Sequence, residues 1–150
     1  MQLTDHFTFE ELTNTGNTEL EAQNRASAEA FMKQLRYTAG TLEEVRAVLG
    51  VPLRVTSGFR NNALNKLVGG SPTSGHTKGL CADIVPVGMD VTDAQKKIMQ
   101  NKDKCPSLKK CILEMVKNSE WLHIETKTEK EQPQQFFVTT NGRTYTEIKS

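Results

Sequence analysis

Two short segments constrain this chain more than any other part of it. They are Ser74-Gly75-His76-Thr77-Lys78-Gly79-Leu80-Cys81-Ala82-Asp83 and Glu120-Trp121-Leu122-His123. The chain has only 3 histidines, and two of them sit here. For His76, Asp83 and His123 to meet at one ion, a loop and two strands must converge, and the strands carrying Asp83 and His123 must be near neighbours. Zinc in a catalytic site takes three N/O ligands and keeps a fourth position for water. A nearby carboxylate can then take a proton from that water. Spacing alone also allows a plainer reading, because a histidine in a Ser/Gly/Thr loop is ordinarily a surface residue and metal assignment needs geometry. An aspartate in an apolar strand is harder to dismiss, since a buried carboxylate requires a partner or a metal.

The remaining pattern supplies the elements. Phe7-Thr8-Phe9-Glu10-Glu11-Leu12 reads as a short docking turn with apolar anchors. Thr18 and Glu21 have capping-box spacing, so a helix is expected to start there and run through Phe31, Met32 and Leu35. Thr41 and Glu44 repeat that spacing behind Gly40, which predicts a break, with the helical pattern ending at Leu49-Gly50. Leu53 to Ser57 alternates as a strand, Asn61 to Leu67 as a short helix, Leu80 to Val85 as a buried strand and Thr92 to Gln100 as an amphipathic helix. Cys111 to Val116 favours strand, and Trp121 to Thr126 alternates. Asn141-Gly142 between Phe136–Thr140 and Arg143–Ile148 marks a tight hairpin. The expected fold class is α+β, with N-terminal helices packed on a mainly antiparallel sheet, as a single domain over residues 1–150.

On a strict strand, residues three apart face opposite sides. Glu120 can therefore serve His123 only from a turn formed by Asn118-Ser119, just ahead of the strand. Glu125 shares parity with His123 and is the competing base.

Bulk properties narrow the partners. Lys and Arg total 19 against 18 Asp and Glu, so no polyelectrolyte partner is implied. Nucleic-acid binding is disfavoured by the lack of interleaved aromatics and of overall basic charge. No apolar run is long enough for membrane insertion. The Met1-Gln2-Leu3-Thr4-Asp5-His6 start lacks the layout of a signal peptide, so a cytoplasmic protein is expected. Three cysteines without Cys-x-x-Cys spacing read as buried free thiols, with a Cys105–Cys111 bridge left open. The lysine-rich stretch from Lys96 to Lys117 reads as a solvated face or as an attraction toward an anionic cell wall.

The run Ser57-Gly58-Phe59-Arg60, Asn65-Lys66, Gly69-Gly70, then Ser74-x-His76-x-x-Gly79-x-x-x-Asp83 resembles the core of the D-alanyl-D-alanine metallopeptidases. That family includes zinc DD-carboxypeptidases and phage L-alanyl-D-glutamate endopeptidases, and shares its fold with the hedgehog signalling domain. Glu120-Trp121-Leu122-His123 is similar to its Glu-x-x-His closing motif. The resemblance spans residues 5 to 125. It implies His76, Asp83 and His123 as ligands of one Zn2+ ion and Glu120 as general base. It implies Arg60 as a substrate-binding and oxyanion-stabilising cation, and Ser74 as a residue that holds substrate or orients the histidine loop. Cys81 stands where the family usually has alanine, and Leu122 where many members carry an aromatic or proline, which implies an altered groove wall. The implied activity is a monomeric peptidoglycan peptidase of the phage-endolysin kind, acting on the wall once the membrane is breached. The alternatives are a D-Ala-D-Ala carboxypeptidase and a non-catalytic zinc-containing binding module.

Overall fold

The computed structural model describes residues 1–149. Helices α1 (Phe9–Thr13), α2 (Thr18–Ala28) and α3 (Met32–Leu49) precede strand β1 (Leu53–Ser57). Helix α4 (Asn62–Leu67) and a 3-10 turn (Gly75–Lys78) lead into β2 (Cys81–Pro86), and α5 (Val91–Gln100) follows. The chain closes with β3 (Leu108–Val116), β4 (Ser119–Thr126), β5 (Gln135–Thr139) and β6 (Thr146–Ile148). The six strands form one sheet in the order β1-β2-β4-β3-β5-β6. All neighbours are antiparallel except β3 and β5, which run parallel. The expected α+β class and its mainly antiparallel sheet are observed.

Alternation divides the sheet into two faces. Ala82 and Ile84 of β2, Leu122 and Ile124 of β4, Cys111 and Leu113 of β3 and Phe136 of β5 are buried in the core. Helices α3 and α5 pack on this face, bringing Leu35, Leu42, Val45, Ala94 and Ile98 into the same cluster. The intervening residues Asp83, His123, Ile112 and Phe137 point to the other face. The helices therefore cover one side of the sheet and leave the other to a cleft.

Several local expectations are corrected by tertiary bonding. The α2 cap is Asn17, whose side chain accepts from the Glu19 and Leu20 amides, and not Thr18. Helix α3 runs unbroken through Gly40 because the predicted capping pair is engaged elsewhere. Thr41 Oγ1 donates to Tyr37 O at 3.1 Å, and Glu44 accepts from the Ser107 amide and hydroxyl. The helical run breaks earlier instead, in the 3-10 turn Glu29–Phe31. The Asn141-Gly142 pair does not make a two-residue hairpin. Asn141 Oδ1 accepts from the Arg143 and Thr144 amides, and pairing resumes only at Val138↔Thr146. The tight hairpin lies at Lys117-Asn118, both at positive φ (51° and 66°), joining Val116 to Ser119. Among the described residues no helix is long and apolar enough to cross a membrane. All three cysteines are free and buried, so Cys105 and Cys111 are not bridged.

Candidate metal centre and peptide cleft

A cleft of about 710 Å³ opens over the uncovered face of the sheet. Its position follows from register: Asp83 pairs with His123, and His123 pairs on its other side with Ile112 and through it with Phe137. This row crosses four strands. A second row, Cys81–Glu125–Lys110, lies on one side of it, and Glu114 faces Trp121 on the other.

His76 reaches the same point from the 3-10 turn, which is held from several directions. Ser74 Oγ accepts from the His76 amide at 3.2 Å, and Gly79 caps the far end at φ 72°. A side chain at Gly75 would put its Cβ 2.2 Å from Cys81 Sγ, so the turn can sit on β2 only with glycine there. The preceding loop is tied to it by the Arg60 amide, which donates to His76 O at 3.0 Å. Buried Asn24 fixes that loop in turn, donating to Phe59 O and accepting from the Asn61 amide. Ser74 therefore orients the histidine turn, and it also lines the cleft.

The ring geometry assigns the donors. His76 Nδ1 donates to Gly58 O at 2.7 Å, which leaves the Nε2 lone pair free, 3.4 Å from Asp83 Oδ1. His123 Nδ1 lies 2.9 Å from the same oxygen, and its Nε2 donates to Glu125 Oε1 at 3.0 Å. One atom from each of His76, Asp83 and His123 falls within 4.8 Å of the other two. Zinc with bonds of about 2.0–2.1 Å in tetrahedral geometry separates its ligands by about 3.3 Å, so this donor set fits such an ion with little movement. Three protein donors leave a fourth position for water. The Glu125 carboxylate behind His123 fixes the ring tautomer, as carboxylate–histidine–metal arrangements commonly do.

Electrostatics agree with a cation-binding role. Burial alone would raise the Asp83 carboxyl, but the two imidazoles hold it well below the usual carboxylate range. Burial likewise opposes charge on His123. Its bonds to Asp83, Cys81 and Glu125 prevail and hold it well above an ordinary histidine.

The other expected site residues divide. Arg60 lines the cleft, and its Nε is buried with no hydrogen-bond partner. Glu120 is not in the preceding turn. Strand β4 begins at Ser119 and stays in regular register with β3 from Ser119 to Glu125, so Glu120 pairs with Met115, is exposed, and lies on the side of β4 opposite His123. Leu122 also faces away from the cleft and is fully buried in the core, so it is no groove wall. Trp121 does line the cleft. Cys81 is buried beneath the site, with its sulfur within 4.8 Å of donors from His123 and Glu125.

Sequence reasoning missed Glu114. It shares the cleft face with His123, and Trp121 Nε1 donates to its Oε2 at 3.0 Å. Burial, reinforced by the negative charge of Asp83, pushes its carboxyl above the ordinary glutamate value. The available signal was an acid inside the otherwise apolar run Ile112-Leu113-Glu114-Met115-Val116, the same argument that singled out Asp83.

No curated protein compared with the chain matches it. A family does: the loop that presents Arg60, the turn that presents His76 and the paired strands that present Asp83, Glu114 and His123 all fall within residues 5–125, the span matched by the Peptidase M15 model, and the chain belongs to that metallopeptidase family.

Proposed function

We propose that the chain is a zinc-dependent peptidase that hydrolyses amide bonds in the peptide stems or cross-bridges of peptidoglycan, with Glu114 as its general base. The observation that carries this reading is the convergence of His76 Nε2, Asp83 Oδ1 and His123 Nδ1 beside a second, partly buried carboxylate in one cleft. Membership of the family and the resemblance in the sequence support peptidoglycan as the substrate.

A zinc ion on these three donors supplies Lewis acidity and lowers the pKa of a water toward neutrality. The residues of the chain do the rest. Glu114 accepts a proton from the attacking water and delivers it to the leaving amine. Its raised pKa suits that exchange, because a base works best when its pKa lies near the working pH. Trp121 holds the Glu114 carboxylate in place through its indole N–H. Arg60 brings a fixed positive charge to the oxyanion of the tetrahedral intermediate, where such charge is worth most in a water-poor cleft. Glu125 keeps His123 in the tautomer that leaves Nδ1 as a donor.

Glu114 is preferred to the two rival carboxylates on geometry. Glu120 stands on the wrong side of β4. Glu125 is engaged by His123, and although burial would raise its carboxyl, that bond and the nearby Lys110 and Lys109 hold it low, which makes it a weak base. The test is mass spectrometry of purified muropeptides incubated with zinc-loaded protein and with a chelated control. Chelator-sensitive loss of a terminal D-Ala identifies a carboxypeptidase, and a cut within the stem or cross-bridge identifies an endopeptidase. No cleavage by protein with confirmed zinc would refute the peptidase reading.

A further inference from the structure

Of the lysines between Lys96 and Lys117, Lys110 lines the cleft. Its ammonium lies 5.8 Å from the centroid of the Phe137 ring, a cation–π contact that holds it against the cleft floor. Among the described residues it forms no ion pair. The nearest acid in register is Glu125, whose carboxylate is already engaged by the His123 ring. Its charge helps hold Glu125 low, but that carboxylate is bonded to the His123 ring, so among the described residues the half-buried ammonium over its aromatic floor has no ion-paired partner of its own.

Its place relative to the metal donors follows from the register. Lys110 is one strand over from Glu125, and Glu125 is two residues beyond His123. With strands about 4.8 Å apart and same-face residues about 6.8 Å apart, the Lys110 backbone lies roughly 8 Å from that of His123. An extended peptide advances about 3.3 Å per residue, so Lys110 meets a group about two residues from the reacting carbonyl. The opposite flank carries Glu114, which is unsuited to a second anion. Ile112 and Phe137 between the two flanks provide an apolar floor for the intervening side chain.

We propose that Lys110 is the carboxylate-recognition residue of the cleft, selecting peptides that bear a free carboxyl group about two residues from the bond that is cut. The inference rests on the peptidase reading above and specifies its substrate as anionic at that position. The wild-type, K110Q and K110E proteins should be compared on synthetic stem peptides of one sequence, with each carboxyl group amidated in turn. For one of these carboxyls, amidation should cost the wild-type enzyme about tenfold in kcat/KM through KM, the equivalent of about 1.4 kcal/mol. K110Q should show the same loss on the free peptide and a free-to-amidated ratio near one. K110E should favour the amidated peptide. Equal losses on every peptide, a wild-type KM in K110Q, or a loss confined to kcat would overturn the assignment while leaving the peptidase reading in place. Hydrolysis of no peptide by zinc-loaded wild-type protein would overturn the peptidase reading and this inference with it.

Discussion

On the β2–β4 side of the cleft, a continuous chain of contacts runs from Gly58 O through His76, Asp83 and His123 to Glu125, with each step between 2.7 and 3.4 Å. On the β3–β5 side the polar groups are sparsely bonded. Glu114 has the Trp121 indole, and Lys110 has an aromatic ring. The first wall has its ligand geometry set by folding, so little reorganisation accompanies metal uptake. The second wall retains a cation without an ion pair of its own and a carboxyl held above its ordinary value, which burial makes costly and which substrate and proton transfer can use. Holding an ion calls for satisfied, rigid partners, whereas acting on a substrate calls for groups that are left wanting one.

The most severe way to break this comparison is on the first wall. Asp83→Ala removes the oxygen shared by both imidazoles, and His76→Ala or His123→Ala removes one donor. Each should lose zinc and hydrolysis together, by more than the about 10–100-fold seen when only a supporting partner is removed. Full zinc content by elemental mass spectrometry in any one of them would strike that residue from the ligand set.

The next largest effect belongs to the second wall. Glu114→Gln should keep zinc and lose kcat by at least ~100-fold, the scale of general-base catalysis. Glu120→Gln should stay near wild type. The opposite ranking would return the role to Glu120 and require β4 to rearrange on binding. Glu114→Gln also has a stability signature. Because the folded-state carboxyl is raised by burial and by Asp83, the folded protein binds more protons than the unfolded chain at pH just above the ordinary glutamate value. Stability therefore falls as pH rises through that window, and the penalty persists at neutral pH. Replacing Glu114 by Gln removes it, so the zinc-free variant should melt higher than zinc-free wild type at pH 7 and no higher at pH 4. A variant that is both inactive and more stable marks a functional group held at a cost in stability.

Glu125→Gln tests whether the first wall depends on its outermost member. An amide oxygen can still accept from His123 Nε2 but carries no charge, so zinc affinity should fall by about tenfold and by no more than about 100-fold. Competition with a chromophoric chelator would measure it. An unchanged affinity would mean that Glu125 is only a neighbour of the site.

The first wall was legible in the sequence and the second was not. His76, Asp83 and His123 are unusual residues for their local settings, and their convergence required only that two strands be adjacent. Asp83 and His123 are direct register partners. The fold class was legible too, since the alternation in Leu53–Ser57 and Trp121–Thr126 and the buried run Leu80–Val85 were visible without tertiary knowledge. The second wall depends on where the β3–β4 turn falls. That turn is Lys117-Asn118, with neither glycine nor proline, while the Asn141-Gly142 signal belongs to a longer loop. Placing the turn at Asn118-Ser119 kept Glu120 out of the strand and concealed that Glu114 faces Trp121. The unbroken α3 failed for a related reason, because Thr41 and Glu44 bond to partners that no local pattern reveals.

The smallest expected effect separates Trp121 as cleft wall from Trp121 as a positioning residue for the base. Its indole N–H donates to Glu114 and favours the ionised carboxylate, partly offsetting the upward push of burial and Asp83. Trp121→Phe keeps an aromatic wall and deletes that donor. The Glu114 carboxyl should then rise further, because a lost hydrogen bond to the charged form disfavours it. Since the base must be ionised to act, the acidic limb of the kcat profile should move to higher pH. At a pH well above the limb, kcat should recover most of its wild-type value. A wall that acted only through shape would change KM and leave the limb in place, and a limb that moved down would show that the Glu114–Trp121 bond does not govern the catalytic carboxylate.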